Sequence, residues 1–158
     1  MSTRFAMLDL KSGGVAELPI VDRIMRAAFD PRFGEAWTTS QCMGILSMSG
    51  VWLTIAWDRD TALGFALARE VAGESELLLL ATLPAHRKRG VAGALLRSVV
   101  SDARGRGART LHLEVRSGND AVRLYRNAGF VKVGERGNYY RGNASQLFDA
   151  HTYACDLG

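Results

Sequence analysis

The stretch Arg87-Lys88-Arg89-Gly90-Val91-Ala92-Gly93-Ala94-Leu95-Leu96 carries the strongest structural signal in this chain. It places three cations and a glycine at the expected start of a helix, directly after a leucine-rich strand. The first N–H groups of a helix have no intrahelical partner and carry a partial positive charge, so they attract anions. Gly90 lets the backbone approach an anion closely, while Ala92 and Gly93 keep the first turn free of bulky side chains. The stretch therefore indicates a phosphate site, with an ordinary helix start on a solvated basic turn as the alternative.

The two common nucleotide-binding motifs are absent from the sequence. No G-x-x-x-x-G-K-[ST] run occurs, and Gly105-Arg106-Gly107 follows a predicted helix, whereas a dinucleotide fingerprint follows a strand. We therefore expect the anion to be neither a nucleoside triphosphate in a P-loop nor NAD.

Hydrophobic periodicity and turn residues assign the remaining elements. Apolar residues at helical spacing predict helices over residues 15–29, 38–48, 90–104 and 120–128. Alternating or continuous apolar runs predict strands over residues 51–57, 62–71, 76–83, 109–115, 130–135 and 146–156. This order predicts a mixed α/β fold in which the last two strands are adjacent.

Length and composition favour a single domain over residues 1–158. The chain has 158 residues, of which 47% are hydrophobic, enough for a core without disulfides or a structural metal. Cys42 and Cys155 lack the paired spacing of metal sites and of disulfide-rich secreted domains. We therefore expect that the protein binds no metal and lies in the reducing cytoplasm. The charged N-terminus does not resemble a signal peptide, and no apolar run has the length that a membrane span needs.

The net charge of +4 decides little about partners, because 16 acidic residues are interspersed with 20 basic ones. We therefore expect no direct nucleic-acid binding and no membrane association. Only the cations at residues 87–89 stand beside a glycine at a predicted helix start, which makes them more specific than the overall charge.

Two motifs in the central and C-terminal half resemble those of one enzyme family. Residues 87–92 resemble the R/Q-x-x-G-x-G/A pyrophosphate loop of the GNAT acetyltransferases, with Ala92 where glycine is commoner. Residues 119–130, Asn-Asp-Ala-Val-Arg-Leu-Tyr-Arg-Asn-Ala-Gly-Phe, are similar to the family's second signature. The resemblance implies acetyl-CoA as cosubstrate and a GNAT fold of the α/β (α+β) class. That fold has a single mixed, mostly antiparallel central sheet of about seven strands flanked by about four helices.

A closer resemblance extends over most of the chain. Residues 113–117 (Leu-Glu-Val-Arg-Ser), the turn at residues 138–140 (Asn-Tyr-Tyr) and residues 149–153 are similar to the RimI-type ribosomal-protein-alanine N-acetyltransferases. Residues 37–39 (Trp-Thr-Thr) fit their early aromatic residue and helix. The resemblance implies acetyl transfer to the N-terminal α-amine of a protein, with a ribosomal-protein alanine as acceptor. We expect a cytoplasmic enzyme that is a monomer or a weak homodimer.

Acetyl transfer to an amine requires a base and an acid. An α-amino group with a pKa of about 8 is mostly protonated at neutral pH, so a base must take its proton. The resemblance implies Glu114 as this base, acting directly or through a water, and Tyr125 as the acid for the departing thiolate. His112 lies two residues earlier on the same strand face and is a rival base. A surface ion pair for Glu114 and core packing for Tyr125 are the structural alternatives.

The resemblance also implies which residues hold the two substrates. Backbone N–H groups near Ala81 or Leu83 are expected to polarise the thioester oxygen. The expected cofactor contacts are Ala81, Thr82, Leu83, Arg87, Lys88, Arg89, Gly90, Val91, Ala92, Gly93, Asn119, Ala121 and Tyr125. Aromatic residues are expected to wall the acceptor slot: Phe33, Trp37, Tyr139 and Tyr140. Core packing is the alternative for these aromatics.

Two other functions stay open at this point. The first is the same reaction on a lysine side chain, a polyamine or a small-molecule amine, which leaves the fold and cofactor unchanged. The second is a non-catalytic domain that binds acyl-CoA or RNA through the cations at residues 87–89. The presence of both Glu114 and Tyr125 argues against the second.

Overall fold

The computed structural model describes residues 8–87 and 90–158. Its helices are α1 (Leu18–Ala28), α2 (Thr39–Leu46), α3 (Val91–Gly105) and α4 (Ala121–Asn127). Its strands are β1 (Asp9–Gly13), β2 (Val51–Asp58), β3 (Thr61–Val71), β4 (Glu74–Thr82), β5 (Thr110–Arg116), β6 (Val131–Arg141) and β7 (Leu147–Asp156). Short 3-10 turns occupy Val15–Glu17, Pro31–Phe33 and Pro84–His86. Within these described residues, no helix has both the length and the apolar character that crossing a bilayer demands.

All seven strands of the described chain form one sheet in the order β1-β2-β3-β4-β5-β7-β6. Every neighbouring pair is antiparallel except β4 and β5, which run parallel. Parallel neighbours need a crossover connection, and α3 supplies it. The predicted mixed, mostly antiparallel sheet of about seven strands with about four helices is confirmed, as is the adjacency of the last two strands.

Helices cover both faces of the sheet and build a separate core on each. On the face that we call the α1 face, α1 and α2 bury Ile24, Met25 and Cys42 against Phe65 and Leu79. On the opposite α3 face, the buried side chains include Leu95, Leu96, Val99, Leu111, Leu113, Val115 and Tyr125. Successive side chains of a strand point to opposite faces, so β5 directs His112 and Glu114 to the α1 face.

The first helix is shorter than the predicted range 15–29. Val15–Glu17 forms a 3-10 turn, and α1 begins at Leu18 with Pro19 in its first turn, where a missing N–H costs nothing. The carboxylate of Glu17 accepts the N–H of Gly14 at 2.7 Å and closes this turn. Apolar periodicity continues through a 3-10 turn, so it did not reveal the boundary.

The predicted turn at residues 138–140 is wrong, because β6 runs on from residue 135 to Arg141. The pairing of β6 with β7 is irregular between Arg136 and Tyr140. Within this bulge Asn138 has a φ of 53°, and its N–H donates to Asp149 Oδ1 at 2.9 Å. Bulges use the same residues as turns, which is why the sequence pattern indicated a turn.

Candidate active site

The two parallel strands separate before they end. β4 and β5 are paired over four residues each, ending at Leu77 and Leu113. β4 nevertheless continues to Thr82, and β5 continues to Arg116. A bulge at Leu78 shifts the register of β4 against β3 at the same level. A gap therefore opens between the carboxyl ends of the two central strands.

Backbone N–H groups of β4 face this gap. The N–H of Leu83 donates to the carbonyl oxygen of Leu63 at 2.8 Å and therefore points towards β3. Successive N–H groups of a strand point to opposite edges, so those of Leu80 and Thr82 point into the gap. The expectation that the Leu83 N–H donates into the gap is therefore wrong. The N–H of Ala81, two residues earlier, also points towards β3.

The hydroxyl of Thr82 is buried at the same place. Thr82 is 8% exposed, and its Oγ1 has no hydrogen-bond partner among the described residues. The neighbouring Ala81 belongs to the core of the α1 face, so alternation places Thr82 on the α3 face. An unsatisfied buried hydroxyl costs about 1–3 kcal/mol, which a polar ligand in the gap would offset.

The start of α3 leaves room for an anion. Gly90 is in the left-handed region with a φ of 79°, and a Cβ there would meet no atom within 4 Å. The N–H of Ala94 donates to the Gly90 carbonyl at 3.0 Å, and among the described residues the three preceding N–H groups of the helix have no intrahelical partner. The Nη1 of Arg97 lies 3.2 Å from where a Cβ on Gly93 would stand, so its guanidinium covers this turn. Arg97 follows Gly93 by four residues, a spacing from which its place on this helix face was predictable.

The expected cation Arg87 makes a different contact. Its Nη2 donates to the carbonyl oxygen of Ala28, the last residue of α1, at 2.8 Å. The other two expected cations, Lys88 and Arg89, lie outside the described residues. A groove of ≈ 340 Å³ lies between the middle and end of α3 and the end of α4, lined by Leu96, Arg97, Val100, Ser101, Arg104 and Ala128.

Glu114 lies on β5 with a side chain that is 10% exposed. Its Oε2 accepts a hydrogen bond from Thr152 Oγ1 at 2.8 Å, and its Oε1 lies 3.3 Å from Nε of Arg136. The hydroxyl of Tyr140 donates to the backbone oxygen of Glu114 at 3.3 Å. The carboxylate is therefore nearly buried and held in one orientation, and its arginine partner is 62% exposed.

His112, the rival base, lies in another polar cluster. Its Nε2 is 3.9 Å from Glu76 Oε2, and the same oxygen accepts from Arg69 Nη2 at 3.1 Å. His112 is thereby tied to β3 and β4. Across residues 8–87 and 90–158, no three His, Cys, Asp or Glu side chains are grouped to hold a metal ion.

Tyr125 lies on the α3 face. It is 7% exposed, and its ring packs edge-to-face against Phe130 with 6.0 Å between the centroids. Burial, followed by the negative charge of Glu35, raises the pKa of Tyr125 well above its usual value, so the phenol keeps its proton. Glu114 and Tyr125 therefore lie on opposite faces of the sheet, with Glu114 on the strand that borders the gap and Tyr125 in the core of the α3 face.

A cluster of Glu35, Arg116 and Asn119 joins the loop after α1 to the start of α4. Oε1 of Glu35 lies 3.0 Å from Arg116 Nε, and its Oε2 accepts from Asn119 Nδ2 at 2.8 Å. Oδ1 of Asn119 accepts the N–H of Ala121 at 2.8 Å. Asn119 and Ala121, both expected cofactor contacts, therefore lie at the start of α4, and the Asn119 amide is engaged at both ends. No local sequence pattern identified Glu35, because its partners are 81 and 84 residues away.

Two of the four expected acceptor aromatics are packed against other groups. The ring of Phe33 lies 3.6 Å from the Arg116 guanidinium carbon and contacts the ring of Phe148 edge-on at 5.3 Å. Trp37 packs half-buried against the core of the α1 face, and its backbone N–H lies 3.1 Å from the sulfur of Met25.

The other two aromatics lie next to Glu114. The rings of Tyr139 and Tyr140 meet edge-to-face with 4.9 Å between the centroids. Tyr139 is 48% exposed, whereas Tyr140 reaches the backbone of Glu114. Burial, and then the charge of Glu35, raises the pKa of Tyr140, so it stays a neutral hydrogen-bond donor beside the carboxylate.

The loop between α1 and α2 is fastened to the hairpin between β6 and β7. Gly34 has a φ of 68°, and a Cβ on it would lie 1.9 Å from the carbonyl oxygen of Arg141. A Cβ on Gly142 would lie equally close to the facing loop. The N–H of Asn143 donates to the Pro31 carbonyl at 3.2 Å. These contacts hold the α1–α2 loop against the β6–β7 hairpin.

Comparison with known proteins agrees with this geometry. The chain matches the family described as "Acetyltransferase (GNAT) family" over residues 19–130. It is 34% identical over 100 residues to the "[Ribosomal protein bS18]-alanine N-acetyltransferase" of Haemophilus influenzae, covering 63% of this chain and 68% of the relative. It is 39% identical over 103 residues to the "N-alpha-acetyltransferase RimI" of Mycobacterium tuberculosis, covering 62% of this chain and 61% of the relative. The crystal structure of the ribosomal-protein-S18-alanine N-acetyltransferase from Escherichia coli is similar, with a TM-score of 0.85 and 26% identity over 96% of this chain and 95% of that one.

Proposed function

The chain belongs to the GNAT acetyltransferase family, and we propose that it transfers the acetyl group of acetyl-CoA to the N-terminal α-amine of a protein. The proposed acceptor is the N-terminal alanine of a ribosomal protein. The observation that carries this proposal is the placement of Glu114, on the strand that borders the gap between β4 and β5, and of Tyr125 on opposite faces of the sheet. The acceptor is present in the cytoplasm, which we propose as the location. A monomer or a weak homodimer stays our prediction for the assembly.

Acetyl-CoA, which supplies the acetyl group as a reactive thioester, fits the gap and the start of α3. The unpartnered N–H groups of the first helical turn, with Arg97 above them, suit a pyrophosphate. The orphaned hydroxyl of Thr82 gains a polar partner there. Arg87 is exposed and can turn from Ala28 towards the phosphates. We propose these as cofactor contacts together with Gly90, Val91, Ala92, Gly93, Asn119, Ala121 and, outside the described residues, Lys88 and Arg89.

Glu114 accepts the proton of the acceptor amine on the α1 face. Thr152 holds Oε2, so Oε1 is the atom that takes the proton when Arg136 turns into solvent. The side chain is 10% exposed and fixed at one oxygen, which suits a base that must meet the acceptor amine in one orientation. Tyr139 and Tyr140 wall the slot through which an extended peptide end reaches this atom.

The opposite side of the gap stabilises negative charge and returns a proton. The gap-facing N–H groups of Leu80 and Thr82 are placed to donate to an oxygen on which negative charge develops. Tyr125 holds its phenolic proton at neutral pH and donates it towards the sulfur from the α3 face. The proton path therefore enters at Glu114 and leaves at Tyr125, with the sheet between them.

A matched peptide panel tests the acceptor class. Each peptide carries one lysine and has either a free alanine N-terminus or an acetyl-blocked one, and spermidine represents small amines. We expect acetylation of the free N-terminus alone, measured by mass spectrometry. If the blocked peptide were acetylated as fast as the free one, the acceptor would be the lysine side chain and not the N-terminal amine. Salt-sensitive RNA binding without any acetyl transfer would mean that the chain acts as a binding domain and not as an enzyme.

A second experiment identifies the natural acceptor. Recombinant ribosomal proteins with free N-termini are incubated with isotope-labelled acetyl-CoA and this enzyme. We expect label on an N-terminal peptide that begins with alanine. Label spread over many lysines would contradict the proposal.

A further inference from the structure

We propose that Glu35 is a positioning residue that sets the start of α4, and with it Tyr125, through the side-chain amide of Asn119. The inference rests on the proposed acetyl transfer, in which Tyr125 is the acid. It gives a role to a nearly buried ion pair that the proton path itself does not use.

The chemistry of the Asn119 amide makes the coupling directional. A carboxylate only accepts hydrogen bonds, so Glu35 must face the Nδ2 end of the amide, at 2.8 Å. The Oδ1 end is thereby turned to the N–H of Ala121, at 2.8 Å. Ala121 is the first residue of α4, where N–H groups lack intrahelical partners. Glu35 therefore decides which end of the amide meets the helix.

Helix α4 depends on this contact because it is short. It has seven residues, and its N-cap residue Asp120 makes no side-chain capping hydrogen bond. Isolated helices of this length are unstable in water, so external contacts must hold the first turn. Tyr125 follows Ala121 by four residues and lies on the same helix side, one turn further on. A shift of the first turn therefore moves the phenol.

Arg116 holds Glu35 in place. The side chains of Arg116 and Glu35 are 12% and 11% exposed, so the ion pair at 3.0 Å is screened little by water. The guanidinium also stacks on Phe33 at 3.6 Å. Arg116 is the last residue of β5, two residues after Glu114. The cluster thus connects the acceptor-side loop, the strand of the base and the helix of the acid.

A reversed-polarity pair of variants tests the proposal. In Glu35→Gln the new amide no longer forces the orientation of Asn119, and in Asn119→Asp two carboxylates face each other. In the double variant E35Q/N119D, the amide nitrogen introduced at position 35 can donate to the carboxylate introduced at position 119, while the amide oxygen accepts from Arg116. The double variant keeps the net charge of the cluster and the acceptor for the Ala121 N–H.

We expect each single variant to lower kcat about tenfold to a hundredfold, since small misplacements of a reacting group have effects of this size. Amide hydrogen exchange of Ala121 should speed up in both single variants, by roughly tenfold. The double variant should regain slow exchange and most of kcat.

Several outcomes would overturn the proposal. Unchanged kcat and unchanged Ala121 exchange in both single variants would show that the cluster positions nothing. Loss of kcat with unchanged exchange and without recovery in the double variant would assign Glu35 a direct role in acceptor binding. If Glu35→Gln does not fold by circular dichroism, Asn119→Asp and the double variant pose the same question.

A control variant and a measurement that does not depend on turnover isolate the effect. Glu70→Gln changes a carboxylate that accepts the Gly73 N–H at 2.8 Å in the remote β3–β4 hairpin, and it should leave kcat and Ala121 exchange unchanged. The exchange measurement requires no turnover. A failure of the proposed acceptor would therefore abolish the peptide assay while leaving the exchange result intact, so the two failures are distinguishable.

Discussion

At the scale of single residues, the two oxygens of the Glu114 carboxylate have different surroundings. Thr152 donates to Oε2, and the largely exposed Arg136 lies beside Oε1. Glu114→Gln keeps the shape and the oxygen that accepts from Thr152 but removes the basic oxygen. We expect kcat to fall about a hundredfold or more, because general base catalysis contributes effects of this size. Steady-state kinetics with the free-N-terminal peptide measure it.

The control for this substitution is cofactor binding. Titration calorimetry with CoA should give the same affinity for Glu114→Gln and the unsubstituted protein, since Glu114 lies on the face opposite to the start of α3. Turnover within about threefold of the unsubstituted protein would remove Glu114 from the role of base.

Tyr125 gives a pH prediction whose sign follows from burial. Burial disfavours the phenolate and raises the pKa of Tyr125, so the proton needed for the acid role is lost only above the usual tyrosine pKa of about 10. We therefore expect no loss of kcat from phenol ionisation between pH 7 and about 10. Tyr125→Phe should lower kcat about a hundredfold at every pH in this range while the ring stays packed against Phe130.

This second residue prediction is checked by kcat–pH profiles together with thermal melts. A melt of Tyr125→Phe close to that of the unsubstituted protein separates loss of the hydroxyl from loss of packing. An alkaline decline of kcat centred well below pH 10, in a protein that stays folded, would contradict a protonated phenol at Tyr125.

The candidate site residues named from the sequence are those that belong to a short local pattern, and their roles stay predictions. Glu114, Tyr125 and Gly90 each stand in a short motif with fixed spacing. Glu35 stands in no such motif, because its importance comes from partners that only the fold brings near. The sequence pointed to backbone donors near Ala81 or Leu83, whereas the N–H groups that face the gap are those of Leu80 and Thr82. The direction of an N–H depends on the register with the neighbouring strand, which the sequence does not show.

At the scale of elements, the contact between the α1–α2 loop and the β6–β7 hairpin depends on glycine. Gly34→Ala puts a methyl group where Arg141 O stands and forces a left-handed φ on a residue with a Cβ. We expect a loss of at least about 2 kcal/mol in the free energy of unfolding. This corresponds to a melting temperature lower by roughly 4–8 °C.

Gly44→Ala is the matched control for this element prediction. Gly44 lies inside α2, and a Cβ there would meet no atom within 4 Å. Alanine is the better helix former, so this variant should gain up to about 1 kcal/mol. Equal melting temperatures for the two variants would mean that the loop contact contributes nothing to stability.

The elements themselves were predicted to the extent that they bury one face. Helix α3 and strands β2 to β5 have strong apolar periodicity, and the structure contains them close to the predicted bounds. Strand β1 lies at the sheet edge with four of its five residues exposed, so it has no apolar pattern to detect. The continuation of β6 was hidden by a bulge with an asparagine at positive φ.

At the scale of the whole molecule, the position of the site follows from the sheet topology. The crossover through α3 makes β4 and β5 parallel, so their carboxyl ends and the start of α3 lie at the same end of the sheet. The order of elements predicted the mixed class. The early separation of the two strands was not predictable, because it depends on a single bulged residue in a run of leucines, Leu78.

A ligand that fills this gap contacts both parts of the sheet, so binding should stabilise the entire protein. At a concentration a hundred times its dissociation constant, acetyl-CoA should add about 2.7 kcal/mol to the free energy of unfolding. For a chain of this size that raises the melting temperature by roughly 5–10 °C. S-acetylpantetheine has the same thioester but no pyrophosphate, so at equal concentration it should give a much smaller rise. Equal shifts from both compounds would contradict a phosphate site at the start of α3. No shift from either compound would contradict a cofactor site in the gap.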